Sequence, residues 1–407
     1  MTIAIPAYNE EENIYNAIQS ALNSSYPNLY IIVVNDASTD NTMKIIDDHF
    51  QLVEVPAIIE EKIPCSKIKA VYVSKTHSNL MIIDKEKNTV ANGGAGAGDS
   101  FNIAINACFT PYFMTLDADS LIDSEAINEF IYDIMTHPTT VIVGGGVYIL
   151  NDCKVQQGRV TQPLLPLRLV PGIQAVEYIR SHLFGRTGWN PLGGTMCYSG
   201  TATMLDRKVV IDAKGFDAQN YGQDVDIIMR INAYMHKSKK PYKVMFNPVA
   251  TIWTDAPRSF TEFGKQRDKW RRGMLRSTIR YWYMFLNPRY GIQGMIGYPA
   301  YIILEVLAPL IEFTSYFTLC ISLYLGILNL KQTLLYVTLA WGFVTYISIA
   351  NMFINLITFN RYKKFTDILR IFSLTVLETF GFRQFNVLVM FYGTIHYLVN
   401  RIMGKPL

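Results

Sequence analysis

The stretch "TIAIPAYNEEENIYNAIQSALNSSYPNLYIIVVNDASTDNT", residues 2–42, alternates strand and helix signals. The apolar runs "TIAI" and "LYIIVV" are typical of buried strands, and Ile14 and Ile18 between them have helical spacing. A polar turn and a second helical pattern follow, which makes a β-α-β-α order. This order predicts an α/β fold with a parallel sheet, whose ligands bind at the carboxyl ends of the strands. Tyr8 and Asp36 stand at two such ends.

The pattern resumes after residue 80 with "LMIID", a glycine-rich loop, a helix from about Asp99 and the strand "YFMTL". That strand ends in Asp117 and Asp119, whose carboxylates point to the same side of an extended chain. Carboxylates at a strand tip suit a Mg²⁺ or Mn²⁺ ion that bridges a diphosphate. An Asp-Ser pair after a strand is more often a turn or a helix cap, so the spacing alone leaves both readings open.

A second pair of acidic residues occurs in "YGQDVDIIMR", where Asp224 and Asp226 precede an apolar helix. Acidic side chains in a first helical turn interact favourably with the helix dipole, which is reason enough for them to be there. The functional alternative makes Asp224 a general base that takes a proton from an acceptor hydroxyl.

The formal charge of +4 is unevenly distributed over the 407 residues. Nine Lys or Arg and only two acidic residues lie between Arg258 and Arg289, so the rest of the chain is net acidic. The basic patch is therefore local, which excludes a general nucleic-acid coat and predicts no nucleic-acid partner. The five cysteines are scattered without metal-site spacing, which favours reduced thiols facing a cytosol. No cleavable signal is predicted at Met1.

The chain becomes strongly apolar near residue 290. Phe313–Leu330 is uncharged for 18 residues and Gln332–Asn360 for 29, and a helix needs about 20 residues to cross a bilayer. Gln384–Asn400 is a third candidate span. The mixed segment 361–383 suits a helix in the membrane interface, and it would be a fourth span if it crossed.

Basic residues at 265–280 and 361–370 predict that these segments face the cytoplasm. We therefore expect a multi-pass protein of the inner, cytoplasmic membrane with a cytosolic catalytic domain. Pro299 and Pro309 are expected to divide the segment before the first span into an interfacial helix and a crossing helix.

Taken together, the motifs carry more information than each one alone. "PAYNE", "NDASTDNT", "DADS", "SGTATMLDR", "GQDVDI" and "QRDKW" occur in this order along nearly the whole chain. In order and spacing the chain resembles the family 2 glycosyltransferases, and within them the membrane-embedded processive branch that makes cellulose, chitin, hyaluronan and poly-N-acetylglucosamine. The resemblance implies a GT-A domain with a Rossmann-like mixed sheet at 1–255, interfacial helices at 256–308 and a transmembrane region at 309–407.

The resemblance also implies roles for individual residues. Asp119 matches the metal ligand, for Mg²⁺ or Mn²⁺, and Asp224 matches the catalytic base. Gln266, Lys269 and Trp270 match a Q-x-x-R-W motif whose tryptophan lies under the acceptor sugar and whose basic residue faces the diphosphate. The residues that would bind the UDP-sugar donor are Ala7, Tyr8, Glu10, Asp36 and Asp117.

These roles account for much of "GKQRDKWRRG", residues 264–273. An indole offers a flat stacking surface to a sugar, and cations stabilise a leaving diphosphate. The other arginines need no chemistry, because a basic strip beside a membrane helix is attracted to anionic lipid. We therefore expect most of the following residues to face the membrane: Arg271, Arg272, Arg276 and Arg280.

Three positions depart from the family pattern. Lys269 stands where the family has arginine, and it keeps the charge but loses the bidentate fork. Gln223 replaces a glutamate beside the catalytic aspartate. Ala97 falls where the family has a loop lysine, for which Lys85 or Lys87 could substitute.

The resemblance implies an inverting β-glycosyltransferase that elongates a polysaccharide from a UDP-sugar at the bilayer, processively and with export. A non-processive transferase acting on a lipid-linked acceptor would use the same aspartates. A membrane scaffold without activity is the alternative from another class, suggested by the three departures. A transporter without chemistry is disfavoured, since the predicted spans carry few ionisable residues.

Overall fold

The computed structural model of the chain describes residues 1–87 and 97–405, so most of the predicted glycine-rich loop lies outside the described residues. The strands are β1 (Thr2–Ala7), β2 (Tyr30–Asn35), β3 (Leu52–Glu54), β4 (Ile68–Ser74), β5 (Leu80–Lys85), β6 (Tyr112–Thr115), β7 (Ser120–Ile122), β8 (Thr140–Ile149), β9 (Lys154–Gln156), β10 (Arg159–Gln162), β11 (Thr203–Asp206) and β12 (Lys243–Thr254). The helices are α1 (Ile14–Leu22), α2 (Thr42–Phe50), α3 (Gly98–Ala107), α4 (Ala126–Thr136), α5 (Leu169–Tyr178), α6 (Arg207–Asp212), α7 (Gln223–Ser238), α8 (Phe260–Arg280), α9 (Tyr298–Tyr301), α10 (Ala308–Tyr324), α11 (Leu330–Phe359), α12 (Phe365–Leu377) and α13 (Arg383–Ile402).

The main sheet has ten strands in the order β3-β4-β5-β2-β1-β6-β11-β8-β12-β7. Strand β1 pairs in parallel with β2 and β6, and β2 pairs in parallel with β5. Strand β11 is antiparallel to both of its neighbours, β6 and β8. The sheet is therefore mixed, which confirms the predicted fold class. The parallel register brings the carboxyl ends of β1, β2 and β6 to one edge.

Helices cover both faces of this sheet. Successive residues of β1 and β2 alternate between the two cores, as the period of a strand requires. Ile3 and Val33 pack on one face with apolar residues of α1, α2 and α4. Ala4 and Val34 pack on the other face with residues of α3, α6 and α7.

A third apolar cluster joins the sheet domain to the helices that follow it. It contains Ile173 of α5, Trp253 of β12 and Phe263 of α8, together with Met352 of α11 and Leu374 of α12. Because these side chains come from both parts of the chain, α8 is fixed between the sheet domain and the apolar helices.

Two helices in the described part of the chain are long and apolar enough to cross a bilayer, Gln293–Tyr324 and Leu330–Phe359, with 32 and 30 residues. The third predicted span corresponds to α13, a 20-residue helix that is less apolar than these two. That α13 crosses the bilayer remains a prediction. The 13-residue helix α12 is too short to cross, since about 20 residues are needed. This length agrees with a position in the interface.

The two prolines that were expected to divide this segment, Pro299 and Pro309, do not interrupt its helical structure. Helical structure continues from Gln293 to Tyr324, and π-helical turns at Gln293–Gly297 and Ile302–Leu307 precede the two prolines. Each proline lies in the first turn of the α-helical piece that follows. There its missing N–H matters less than it would in a regular helix interior, so helical structure continues through both prolines.

We predict that Gly273→Ala destabilises the protein and Gly264→Ala does not, although both residues lie in α8. A Cβ on Gly273 would lie 2.2 Å from the backbone nitrogen of Gly222, which precedes α7. The two helices would have to move apart, at a cost of about 1–3 kcal/mol. A Cβ on Gly264 meets nothing within 4 Å. Thermal unfolding of the detergent-solubilised variants tests this, and equal melting temperatures would contradict the close helix contact.

Candidate active site

The first part of the site is built by the turns after β1 and β2. The backbone N–H of Asp36 donates to the carbonyl of Ala7 at 2.8 Å, which places Asp36 beside Tyr8. Asn9 adopts a left-handed conformation with φ 56°, and its side-chain oxygen accepts from the N–H of Thr39 at 2.8 Å. Asparagine tolerates this conformation well. The ring of Tyr8 is left 49% exposed at the cleft.

Glu10 lies between this end of the cleft and the "DADS" turn. Its backbone N–H donates to Thr42 Oγ1 at 2.8 Å, and its carboxylate accepts from Asn13 Nδ2 at 3.1 Å. Burial raises the pKa of Glu10, the Asn13 hydrogen bond opposes the rise, and the negative charge of Asp119 adds to it. Glu10 is therefore an electrostatic neighbour of the "DADS" carboxylates.

Asp117 and Asp119 occupy the turn between β6 and β7. The backbone N–H of Asp117 donates to Thr201 Oγ1 at 3.1 Å, and Asp119 Oδ1 accepts from Ser120 Oγ at 3.0 Å. Burial raises the pKa of Asp119, although the Ser120 hydrogen bond opposes it. Hydroxyl groups thus hold the backbone of this turn at Asp117 and the carboxylate of Asp119.

Charges crowd around Asp117. Its pKa is raised by burial first and then by the carboxylates of Asp119, Asp224 and Glu10, while the ammonium group of Lys269 lowers it. These interactions bring residues from four separate segments of the sequence into one cleft. A cluster of carboxylates with a single opposing lysine attracts further positive charge.

The two aspartates in the first turn of α7 have different surroundings. Asp224 Oδ1 accepts from the adjacent N–H of Val225 at 2.9 Å, and backbone groups, including that of Gly200, also donate to this carboxylate. Burial raises the pKa of Asp224, and the charge of Arg186 partly opposes this. Asp226 is fully buried and accepts from Arg230 at 2.7 Å and from Arg280 at 3.2 Å. Asp226 is therefore a structural residue, and Asp224 is the one left open to the cleft.

Trp270 and Gln266 lie on α8, the helix that also carries Lys269. The guanidinium of Arg267 lies 4.7 Å from the ring centroids of both Trp270 and Phe263, and it pairs with Glu177 at 2.8 Å. This arrangement braces the indole, which remains 39% exposed. The buried Oε1 atom of Gln266 has no hydrogen-bond partner in the described part of the chain, so a ligand hydroxyl could supply one.

Lys269 projects from the same helix toward the carboxylates. Its ammonium group lies 5.0 Å from the ring centroid of Tyr221, which Arg272 also contacts at 5.1 Å. Burial lowers the pKa of Lys269, and the charge of Asp117 opposes this. Tyr221 and Arg267 were not among the predicted site residues, although Tyr221 directly precedes the motif "GQDVDI" and Arg267 lies within "QRDKW".

The arginines predicted to face anionic lipid are instead bound to protein groups, and this prediction was wrong. Arg271 is fully buried and donates to the carbonyls of Glu305 and Val306 at 3.0 and 2.7 Å. Those carbonyls belong to the π-helical turn before Pro309, where regular helix bonds are lost. The other pairs are Arg272 with Asp268 at 3.1 Å, Arg276 with Asp217 at 3.5 Å, and Arg280 with Asp217 at 2.6 Å.

The three departures from the family pattern have distinct positions. With its amide oriented to donate, Gln223 bonds the carbonyl of Tyr221 at 2.9 Å, so it closes the turn before α7. Ala97 is the residue before α3. Lys87 is exposed, whereas Lys85 is buried against carboxylates at the end of β5.

The residues present fit a divalent cation. Within 1–87 and 97–405 no three His, Cys, Asp or Glu side chains converge as a complete metal cage. Mg²⁺ and Mn²⁺ at phosphate-transfer sites need only one or two carboxylates, because substrate phosphates and water complete the shell. Asp119, beside Asp117 in the same cleft, is such a donor.

Comparisons with known proteins identify the family of the chain. A family model described as "Glycosyl transferase family group 2" matches residues 112–345, and one described as "Glycosyl transferase family 2" matches residues 2–63. The poly-beta-1,6-N-acetyl-D-glucosamine synthase of Staphylococcus epidermidis is 23% identical over 273 residues, which is 67% of this chain and 54% of that protein. The synthase of the same name from Staphylococcus aureus strain COL is 22% identical over 275 residues, with the same coverage. The chain thus spans about half the length of these curated relatives.

A solved structure shares the fold. The mannosyltransferase PcManGT from Pyrobaculum calidifontis, in complex with GDP-Man and Mn²⁺, superposes with a TM-score of 0.55 at 14% identity. The superposition covers 93% of this chain and 86% of the other. This likeness confirms the GT-A architecture of the sheet domain.

We predict that Asp226→Asn destabilises the protein, whereas the equally isosteric change Asp224→Asn does not. The first removes a buried carboxylate that two arginines share, and we expect a loss of about 2 kcal/mol because one of those arginines is partly solvated. The second removes a carboxylate whose pKa is raised by burial, so at pH 7 the variant should be as stable as the wild type or more stable.

The direction of the stability change in Asp224→Asn follows from proton linkage. A carboxyl whose pKa is raised on folding penalises the folded state above its unfolded pKa, and the penalty is absent below about pH 4. Any gain of Asp224→Asn should therefore vanish as the pH falls to that value. Thermal unfolding without nucleotide or metal, at pH 4 and pH 7, measures both effects, and a destabilised Asp224→Asn variant would show that Asp224 is structural.

Proposed function

This chain belongs to glycosyl transferase family group 2, and we propose that it is a membrane-bound glycosyltransferase that elongates a polysaccharide from a UDP-sugar. The observation that carries the proposal is the single cleft in which Asp117, Asp224 and Lys269 interact. These residues come from the strand ends, from α7 and from α8. A nucleotide-sugar site needs this combination of carboxylates, a cation and a general base.

The donor lies across the strand ends in this proposal. Its uracil stacks near the exposed ring of Tyr8 and contacts the carboxylate of Asp36, with Ala7 and Glu10 completing the turn. Its ribose and diphosphate extend toward Asp117. Asp119 would hold Mg²⁺ or Mn²⁺, and an ion of this kind, when bound, would supply charge neutralisation for the departing diphosphate.

The reaction is a single displacement. An acceptor hydroxyl oxygen forms a bond to the anomeric carbon while the bond from that carbon to the diphosphate oxygen breaks, which inverts the configuration and releases UDP. Asp224 takes the hydroxyl proton, for which a carboxylate with a raised pKa is well suited. Lys269 adds positive charge at the leaving-group end.

The acceptor rests on α8 in the same proposal. The braced and half-exposed indole of Trp270 offers a stacking face to a sugar ring. The unpaired oxygen of Gln266 can accept from a sugar hydroxyl. Helix α8 packs against α13 and carries Arg271 onto the helix Gln293–Tyr324, so the acceptor site adjoins the apolar helices.

The same proposal includes how the parts of the chain lie relative to the membrane. We assign 1–255 to a cytosolic transferase domain, 256–308 to interfacial helices and 309–407 to membrane spans in the cytoplasmic membrane. A polysaccharide end on Trp270 would lie at the membrane face, which supports processive elongation coupled to export. The curated relatives are poly-beta-1,6-N-acetyl-D-glucosamine synthases by name, so UDP-N-acetylglucosamine is the first donor to test.

We predict that the purified chain in lipid nanodiscs releases UDP and forms a polymer when it receives UDP-N-acetylglucosamine with Mn²⁺ or Mg²⁺. Asp224→Asn should slow UDP release by at least about a hundredfold. Asp48→Asn, an equal change at an exposed position of α2, should leave the rate unchanged. Coupled assay of UDP and sizing of the radiolabelled product provide the measurement.

The outcomes of this assay separate the alternatives. Products extended by one sugar on a lipid-linked acceptor would indicate the non-processive transferase. No UDP release with a panel of UDP-sugars and either metal ion would indicate a scaffold and overturn the proposal.

A second prediction concerns the acceptor site. Trp270→Ala should lower kcat/KM for the growing chain about tenfold and shorten the product, because the stacking surface is lost. Trp282→Ala is the matched control, since that indole follows α8 and is 71% exposed. Chain-length distributions of the two variants should differ, and equal distributions would remove Trp270 from the acceptor site.

A further inference from the structure

A fully buried lysine stands at the nucleotide end of the cleft. The side chain of Lys85 has no solvent exposure. Its ammonium group donates to Asp36 Oδ1, lies 3.0 Å from Asp99 Oδ2, and donates to the carbonyl of Glu86 at 3.2 Å. Lysine is almost never fully buried unless it is paired, so these contacts explain its position. The proposed mechanism gives this lysine no part.

The fold fixes the geometry of these contacts. Strands β2 and β5 pair in parallel with Asn35 opposite Asp84, so Asp36 and Lys85 follow side by side. Asp99 lies in the first turn of α3, and its Oδ1 accepts from the N–H of Ser66 at 2.9 Å. The ammonium group is therefore held between a strand end and a helix start.

A neighbouring carboxylate does not compete for this cation. Asp84 Oδ1 accepts from Asn35 Nδ2 at 2.7 Å, and its other oxygen lies 3.9 Å from the half-exposed Lys69. Lys85 thus contacts one oxygen of Asp36 specifically. Within 1–87 and 97–405 the Asp36 carboxylate accepts no other hydrogen bond, which leaves Oδ2 available.

We propose that Lys85 is a positioning residue that sets nucleobase preference, because it occupies Asp36 Oδ1 and leaves Oδ2 as a single acceptor for the donor's base. This inference rests on the proposed function, in which Asp36 contacts the base. Lys85 itself does not touch the nucleotide.

A single free carboxylate oxygen matches the hydrogen-bond donors of uracil better than those of guanine. Uracil presents one imide N–H between two carbonyls, which one carboxylate oxygen can satisfy. Guanine presents an N1–H and an adjacent amino group, and it binds best to both oxygens of a free carboxylate. With Oδ1 held by Lys85, the amino group of guanine gains no partner. A buried lysine that only neutralised charge would affect stability without changing this preference.

The first test compares UDP and GDP binding to the full-length chain by calorimetry with Mn²⁺ present. The variant is Lys85→Met with Asp99→Asn, which removes the cation together with its second carboxylate and so avoids an unpaired buried charge. We expect UDP to bind about tenfold more weakly and the preference for UDP over GDP to fall about tenfold. Lys69→Met, the same change on the adjacent strand, should bind both nucleotides like the wild type.

A second measurement uses the wild-type protein, so it does not depend on the variant folding. Inosine diphosphate lacks the amino group of guanine, and with Oδ1 occupied the two should bind within about twofold of each other. A wild type that prefers GDP over inosine diphosphate about tenfold would overturn the inference.

The results separate this inference from the proposed function. A double variant with wild-type melting behaviour and an unchanged UDP-to-GDP ratio overturns the role of Lys85 alone, since UDP binding persists. A wild-type chain that binds no UDP overturns both the donor site and this inference.

Discussion

The candidate site depends on several buried carboxylates that lie close together. Burial raises the pKa of Asp117, Asp119 and Asp224. The negative charges of Asp119 and Asp224 raise the pKa of Asp117 further. A buried carboxylate without a paired cation destabilises the fold. The cleft therefore needs positive charge, which Lys269 supplies in part, and a ligand carrying a divalent cation would supply the rest. Under the proposed function, a nucleotide-sugar and its divalent ion would complete this balance of charge.

Helix α8 connects this electrostatic site to the apolar helices. On one side Gly273 contacts the backbone before α7 so closely that no side chain fits. On the other side Arg271 bonds to carbonyls of the helix Gln293–Tyr324, and Asp268 bonds to His396 of α13 at 3.0 Å. The helix that carries Lys269 is thus fixed on both sides. The distance between the proposed acceptor site and the apolar helices is set by packing and by buried hydrogen bonds.

The sequence predicted those features that local patterns encode. Strand and helix periodicity located β1, β2 and β6, and parallel pairing then required Asp36 and Asp117 to lie near one edge. The partners of long side chains could not be predicted in the same way. Arg271 bonds to carbonyls more than thirty residues further along the chain, and a basic run has the same appearance whether it faces lipid or protein. The burial of Lys85 likewise depends on Asp99, which belongs to another element.

The "DVD" sequence of α7 shows why residue type alone does not assign a role. Asp224 and Asp226 are two positions apart, so they point in directions that differ by about 200° around the helix. One direction leads to the cleft and the other to Arg230 and Arg280. The carboxylate with two cationic partners stabilises the fold, and the one whose pKa is raised by burial costs stability. A fold retains such a cost where function requires it, which is the physical reason for assigning the chemistry to Asp224.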